Sequence, residues 1–189
     1  MINKPRNTSR RDVLAGIFTA VAATAAPVYA NAAGFLRGAG DIRRIRLNSP
    51  RTGESVDTIY WIEGEYIPEA LGEISWFMRD WRENEMIQYD PRNLDIMAAA
   101  AKLMDTEEAY SVISGYRAPA TNGMLRSNSR GVAQNSYHMR GMAADLRMSS
   151  RSIGQMAGAA QACNAGGVGR YGRSNFVHMD CGPIRTWRG

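Results

Sequence analysis

The chain has 189 residues, 44% of them hydrophobic, and a formal net charge of +5. Lys4, Arg6, Arg10 and Arg11 against Asp12 place +3 of that charge at the start and leave +2 for the remainder. So small an excess gives no case for nucleic-acid binding, and the length suits one domain with a hydrophobic core.

The first thirty residues predict an export signal. The pair Arg10-Arg11 precedes an alanine-rich apolar run over residues 15–26, and Val28-Tyr29-Ala30 resembles a cleavage site. This order is typical of a signal peptide, and the arginine pair points to the twin-arginine route into the periplasm. The run of about 12 residues is shorter than the roughly 20 of a membrane span, and an uncleaved anchor is the alternative. We assign residues 1–30 to a twin-arginine signal peptide and residues 31–43 to a flexible lead-in.

Residues 44–189 predict a single domain, in which strands come first. Alternating apolar residues predict strands over Arg44–Leu47 and Ser55–Glu63, which we expect to pair as a hairpin. A helix is predicted to begin at Ile67-Pro68-Glu69, with an apolar stripe that reaches Trp81 and packs in the core. Asp90-Pro91 predicts the start of a second helix, which runs to about residue 104.

The second half predicts three more strands, a third helix and a long polar loop. The third helix begins after Ser149 or Ser150 and stops at Gly166-Gly167. The other predicted segments, in chain order, are a strand over Ala109–Ser114, a surface loop over Arg117–Gln134, a strand over Gly141–Met148 and a last strand over Phe176–Cys181.

One imidazole and one carboxylate stand seven residues apart in Ser-Tyr-His-Met-Arg-Gly-Met-Ala-Ala-Asp, as His138 and Asp145. The chain has only one other histidine, His178. Two imidazoles and a carboxylate form the set that binds catalytic zinc and leaves a fourth position for water, whereas magnesium and calcium prefer oxygen ligands. Adjacent antiparallel strands could bring Asp145 and His178 within zinc-ligand distance. Histidines with a purely structural role are the alternative.

The residues Ser136, His138, Gly141, Ala143 and Asp145 stand in the order Ser-x-His-x-x-Gly-x-Ala-x-Asp. This pattern resembles the D-Ala-D-Ala metallopeptidase superfamily, to which hedgehog relatives also belong. Three further stretches are similar to that superfamily or to its YcbK/MepK-like murein endopeptidase branch: Ser114–Pro119, Gly166–Gly169 and His178–Pro183. The resemblance is specific from about residue 112 to residue 187 and looser back to about residue 44.

The resemblance implies an α+β fold with a small antiparallel sheet, helices packed on one side and a zinc cleft on the sheet. It implies a zinc-dependent peptidase that cuts peptide cross-links of peptidoglycan during cell-wall remodelling. A D,D- or L,D-carboxypeptidase is the related alternative activity. A zinc-containing peptidoglycan-binding module without catalysis is the alternative from another class.

The resemblance also implies roles for single residues. Arg117 binds a substrate carboxylate or a developing oxyanion, and Ser136 hydrogen-bonds substrate or only stabilises its loop. Many relatives carry a proton acceptor where Asn175 and Phe176 stand here. Asp180 is then the candidate base, or instead the residue that orients the ring of His178.

Cys163 and Cys181 are the only cysteines, and the sequence allows either a disulfide or two buried thiols. We expect Cys181 on the strand face opposite His178, so that it is neither a metal ligand nor a nucleophile.

Overall fold

A computed structural model describes residues 40–129 and 131–189 of the protein. The predicted signal peptide and most of the predicted lead-in therefore lie outside the described residues. The first strand begins at Ile42, two residues earlier than the predicted start of the domain. The reason is that Arg43 already belongs to the fold, where its guanidinium forms a buried ion pair with Asp95 at 2.7 Å.

The described residues fold as α+β, as predicted, around one mixed sheet of eight strands in the order β3-β2-β1-β4-β5-β7-β6-β8. The strands are β1 (Ile42–Asn48), β2 (Ser55–Ile62), β3 (Glu65–Tyr66), β4 (Tyr110–Ser114), β5 (Ala143–Arg147), β6 (Gly167–Tyr171), β7 (Phe176–Asp180) and β8 (Arg185–Arg188). The helices are α1 (Pro68–Phe77), α2 (Pro91–Leu103), α3 (Pro119–Asn128) and α4 (Ile153–Ala162).

The predicted hairpin is confirmed, since β1 and β2 pair antiparallel from Ile42 opposite Ile62 to Asn48 opposite Ser55. The expected small antiparallel sheet needs correction, because β4 pairs parallel with β1 and β8 pairs parallel with β6. The first parallel pair arises because α1 and α2 lie between β2 and β4 and return the chain in the direction of β1. The second arises because the chain leaves β7, which runs antiparallel to β6, and turns back to form β8 on the other side of β6. Strand β8 therefore runs in the same direction as β6.

Both predicted helix starts at prolines are confirmed. Pro68 lies in the first turn of α1, and Asp90 caps α2 by accepting the backbone N–H of Arg92. The predicted extension of the first apolar stripe is wrong, because α1 ends at Phe77 and Trp81 is 40% exposed. Trp81 follows the helix in a turn, so helical spacing does not govern the direction of its side chain.

Two further helix predictions are corrected by local hydrogen bonds. Helix α4 is capped by Ser152, whose hydroxyl accepts the N–H of Gln155 while the Gln155 side chain accepts the N–H of Ser152. Ser149 and Ser150 instead donate to the carboxylate of Glu108. Helix α3 occupies most of the predicted polar loop, and it buries only the polar pair Thr121 and Asn122, which gives no apolar signal in the sequence.

One hydrophobic core lies between one face of the sheet and helices α1, α2 and α4. Strand β7 shows the division of faces, because Val177 and Met179 belong to this core while His178 and Asp180 alternate with them. None of the described residues of α3 belongs to the core cluster. The opposite face of β5 and β7 is therefore left for polar side chains.

Candidate metal centre

Three side chains converge on the polar face of the sheet. His138 lies in a 3₁₀ turn over Tyr137–Arg140, Asp145 in β5 and His178 in β7. Asp145 and His178 stand directly opposite each other in the antiparallel ladder, which fixes their proximity through the strand register. His178 Nδ1 lies 2.9 Å from Asp145 Oδ1, and His138 Nε2 lies 3.3 Å from the same oxygen and 3.2 Å from His178 Nδ1.

The turn that carries His138 is held at both ends. Ser136 caps it, with its hydroxyl accepting the backbone N–H of His138 at 3.3 Å. Gly141 ends it with φ +64, a conformation that favours glycine. The carbonyl of His138 also accepts the N–H of Arg117 at 3.1 Å, so the two sequence motifs are joined through the backbone.

Hydrogen bonds behind the two imidazoles determine which nitrogen faces the centre. His138 Nδ1 lies 2.7 Å from the carbonyl oxygen of Gly115, which can only accept, so that nitrogen carries the proton. His178 Nε2 lies 2.9 Å from Asp180 Oδ2 and donates in the same way. The lone pairs of His138 Nε2 and His178 Nδ1 are therefore turned towards Asp145.

Three buried acceptors that face one another need a shared cation. His138 is 2% exposed, and Asp145 and His178 are each 8% exposed, so bulk water does not separate them. A proton on His178 Nδ1, donated to Asp145 Oδ1, is one such cation, and a metal ion bound by all three residues is the other that fits. Two imidazole nitrogens and one carboxylate oxygen within 4.8 Å of one another form a group that can hold a metal ion.

The electrostatics agree with a cation at this position. Burial lowers the pKa of His138, and the neighbouring Asp145 only partly offsets that effect. Burial opposes the charged form of His178 as well, but hydrogen bonds to Asp145 and Asp180 raise its pKa to about 9. Although burial disfavours the charged carboxyl of Asp145, the two imidazoles hold its pKa below the usual range. The centre thus keeps an anionic carboxylate for a bound cation.

Asp180 is fully buried on the far side of His178. Its oxygens accept from His178 Nε2, from the backbone N–H of Gly182 at 2.9 Å and from both terminal nitrogens of Arg185 at 3.0 and 2.7 Å. Although burial opposes ionisation, these donors lower the pKa of Asp180 to about 2. Of the two roles predicted for Asp180, this position matches the orientation of the His178 ring.

Arg117 is 8% exposed and lies beside the three donors. Its guanidinium approaches Asp145 Oδ2 at 3.5 Å, Asn122 Oδ1 at 3.4 Å and Ser114 Oγ at 3.4 Å. Burial lowers its pKa, and Asp145 counteracts that effect. Asn122 also donates to the carbonyl oxygen of Ala133 at 3.2 Å and so ties α3 to the loop before His138. Sequence reasoning missed this function of Asn122 because α3 was predicted to be loop.

A cleft of about 400 Å³ joins these residues. Arg117, Ser136 and the three converging donors all line it, whereas Asp180 does not. Its other described lining residues include one further cation, Arg185, and four aromatic side chains, Tyr137, Tyr171, Phe176 and Trp187. Among the described residues of this lining, Asp145 is the only carboxylate. The lining therefore offers a polar, extended ligand both cationic groups and aromatic surfaces.

Both cysteines are free thiols in the described structure, which is one of the two states that the sequence allowed. Cys163 donates to the carbonyl oxygen of Ile96, and Cys181 to that of Met142. Burial raises the pKa of each thiol to about 12, so neither is a ready thiolate ligand or nucleophile. Strand β7 ends at Asp180, and Cys181 therefore lies just beyond the strand rather than within it.

Comparison with known proteins places this chain in a family. Residues 37–187 match the family described as "Peptidoglycan L,D-endopeptidase MepK". The peptidoglycan L,D-endopeptidase MepK of Escherichia coli strain K12 is 41% identical over 145 residues, which cover 77% of this chain and 80% of that protein. The probable peptidoglycan L,D-endopeptidase MepK of Haemophilus influenzae is 36% identical over 148 residues, covering 78% of this chain and 80% of that protein.

Proposed function

Because this chain belongs to the peptidoglycan L,D-endopeptidase MepK family, we propose that it cuts peptide cross-links of peptidoglycan with a zinc ion held by His138, Asp145 and His178. It is a metallopeptidase and a murein endopeptidase. The observation that carries the zinc proposal is the convergence of three buried acceptors whose other hydrogen bonds leave their lone pairs directed at one another.

Zinc fits this donor set better than calcium or magnesium does. Structural and catalytic zinc sites use imidazole nitrogen and carboxylate oxygen, whereas calcium and magnesium require shells of oxygen. When bound, zinc supplies Lewis acidity and lowers the pKa of a coordinated water molecule. Asp180 holds the proton on Nε2 of His178, so that Nδ1 stays available as a ligand.

The substrate roles follow from the lining of the cleft. The guanidinium of Arg117 can hold a substrate carboxylate or the carbonyl oxygen on which negative charge develops. The hydroxyl of Ser136 accepts a backbone N–H, and its own proton remains able to reach a peptide carbonyl. The aromatic side chains that line the same cleft give an extended peptide an apolar surface.

The place of action that we propose is the periplasm, where the peptidoglycan substrate lies. Residues 1–30 carry the sequence pattern of a twin-arginine signal peptide. Within the part of the chain that the structure describes, no helix has the length and apolar character needed to cross a membrane.

The test compares cleavage of purified murein sacculi by the mature protein as isolated, after chelation and after zinc is restored. We expect cleavage to stop on chelation and to return with zinc, and analysis of the released muropeptides identifies the bond. Zinc content is measured for the wild type and for His178→Ala, with about one zinc per chain expected only in the wild type. Full zinc in His178→Ala contradicts the ligand set.

The same experiment distinguishes the enzyme from the alternative binding module. A module without catalysis would retain zinc and sediment with sacculi, yet release no muropeptide. Family membership supports the enzyme, and the absence of a proton acceptor at Asn175 and Phe176 is the feature that makes the comparison worthwhile.

A further inference from the structure

Strand β8 places the side chains of Arg185 and Trp187 beside the metal centre, next to two glycines of strand β6. In the parallel ladder of β6 and β8, Gly167 stands opposite Arg185 and Gly169 opposite Trp187. A Cβ atom on Gly167 would lie 2.4 Å from Arg185 Nη1, and one on Gly169 would lie 2.4 Å from Trp187 Cε2. Both distances are far below van der Waals contact, so β6 accepts these side chains only because both positions lack a side chain.

Arg185 occupies this space and forms a bidentate ion pair with Asp180. Its two terminal nitrogens donate to the two carboxylate oxygens at 3.0 and 2.7 Å, and one of them also donates to the carbonyl oxygen of Pro183. The rings of Tyr137 and Trp187 each have their centre 5.0 Å from the guanidinium carbon. A two-pronged contact fixes the plane of a carboxylate as well as its position, which a single donor does not.

This ion pair differs from an ordinary surface ion pair because its carboxylate is buried. The side chain of Arg185 is 38% exposed, but that of Asp180 is 0% exposed. Exposed pairs contribute about 0–1 kcal/mol, whereas a buried carboxylate that loses its partner is left as an uncompensated charge. That carboxylate is also the acceptor for the Nε2 proton of His178, so its orientation is passed on to the ring.

Trp187 confines the same ring from another side. Its indole lies 5.2 Å from the centre of the His178 ring, and its Nε1 donates to the hydroxyl of Tyr171 at 3.0 Å. The indole is therefore held by a hydrogen bond and is not free to swing away from His178.

We propose that Arg185 is a positioning residue of the metal centre: it fixes the plane of Asp180, and through Asp180 it keeps Nδ1 of His178 directed at Asp145 and His138. The inference rests on the proposed zinc function. The hydrogen bonds and ion pairs of Arg185 reach Asp180 and Pro183 and none of the three donors, so we assign its effect to Asp180.

The experiment measures zinc affinity of the mature protein by competition with a chromogenic chelator, together with the melting temperature of the metal-free form. Arg185→Gln removes the bidentate ion pair with Asp180. We expect zinc to bind about 10–100-fold more weakly, as for other groups that orient a metal ligand. Arg185→Lys keeps the positive charge but lacks the planar guanidinium that donates to both carboxylate oxygens. Its loss of zinc affinity should therefore be smaller but measurable. Arg188→Gln is the matched control, because Arg188 lies exposed in the same strand and, being an odd number of residues from Arg185, points to the other face.

The melting temperature separates positioning from folding. A weaker affinity in Arg185→Gln with a metal-free melting temperature close to that of Arg188→Gln supports the inference, and partial recovery in Arg185→Lys supports it further. Should Arg185→Gln not fold, Arg185→Lys alone decides in the same assay. Zinc affinity within twofold of the wild type in the decisive variant overturns the inference and leaves the zinc function intact. A wild-type protein that binds no zinc overturns both.

Discussion

Asp180 illustrates how much a single carboxylate in this fold depends on its neighbours. Its hydrogen bonds go to His178, Gly182 and Arg185, and they use both of its oxygens. A general base would need an oxygen directed into the cleft. The contacts of Asp180 therefore favour the orienting role over proton transfer.

Replacing Asp180 with asparagine tests that role directly. We expect Asp180→Asn to bind zinc about 10–100-fold more weakly, because the amide cannot hold the Nε2 proton of His178 as an anionic carboxylate does. Cleavage of sacculi should fall only modestly once zinc is supplied in excess. Zinc content by elemental analysis and muropeptide release are measured on the same preparation. Unchanged zinc with cleavage reduced by several orders of magnitude would instead identify Asp180 as the base.

Residues that act through local spacing could be predicted from the sequence, and residues that act through the fold could not. The spacing of His138, Asp145 and His178 predicted that these side chains would meet, and the structure brings them together. Arg185 and Trp187 left no such signal, because their importance comes from the pairing of β8 with β6 and from two glycines that leave room for them. Asn122 was missed for a different reason, since the helix that carries it was predicted to be a loop.

At the scale of elements, a carboxylate joins the ends of two strands. Glu108, just before β4, accepts the backbone N–H and hydroxyl of Ser149 at 2.6 Å each, and the backbone N–H and hydroxyl of Ser150. These two serines follow β5, the antiparallel neighbour of β4. The hydrogen bonds from the serines lower the pKa of Glu108 to about 2.

This contact predicts a defined loss of stability in acid. Because the folded-state pKa of Glu108 lies below its ordinary value of 4.5, its contribution is complete above about pH 5 and disappears as the pH falls through about 2. The carboxylate is accessible to solvent, so we expect less than about 1 kcal/mol. Glu108→Gln should reduce the difference between urea midpoints at pH 7 and pH 3, and Glu83→Gln, at an exposed position, should not. If the difference between the two urea midpoints is the same in the wild type and in Glu108→Gln, the contact of Glu108 with the two serines does not contribute to stability.

Elements with strong caps or alternation were predictable, and those defined by polar or glycine-rich sequence were not. The prolines at the starts of α1 and α2 and the alternation in β1 and β2 gave correct elements. Helix α3 buries only two polar residues, and β6 begins with a glycine that is typical of a helix end. The serines after β5 were assigned to a cap because the sequence does not reveal that Glu108 binds them.

At the scale of the whole molecule, the sheet separates the hydrophobic core from the cleft that holds the candidate site. One face holds the hydrophobic core with three helices, and the other face carries the cleft. The α+β class could be predicted, whereas the number and direction of strands could not, because the two parallel pairs depend on where long connections return the chain.

Export of the whole chain is predicted to depend on its arginine pair. Replacing both Arg10 and Arg11 with lysine should leave precursor in the cytoplasm, because the twin-arginine route reads the pair itself rather than its charge. Cell fractionation followed by immunoblotting measures the outcome, with Lys4→Arg as a control that preserves the pair. Normal export of the doubly substituted chain would point to another route.

The pairing of β5 with β7 has a consequence for the lifetime of the protein. Asp145 and His178 meet only in the folded ladder, and His138 is 40 residues from His178 in the chain. An unfolded chain does not hold the three donors together, so zinc bound at the proposed site would add its binding free energy to the free energy of unfolding. At free zinc one hundred times the dissociation constant, this linkage amounts to about 2.7 kcal/mol. The urea midpoint should therefore rise with zinc in the wild type and stay constant in His178→Ala. With the proposed zinc site, a cell short of zinc would hold protein that is both inactive and more readily unfolded and degraded, so metal supply would govern the amount of enzyme as well as its activity.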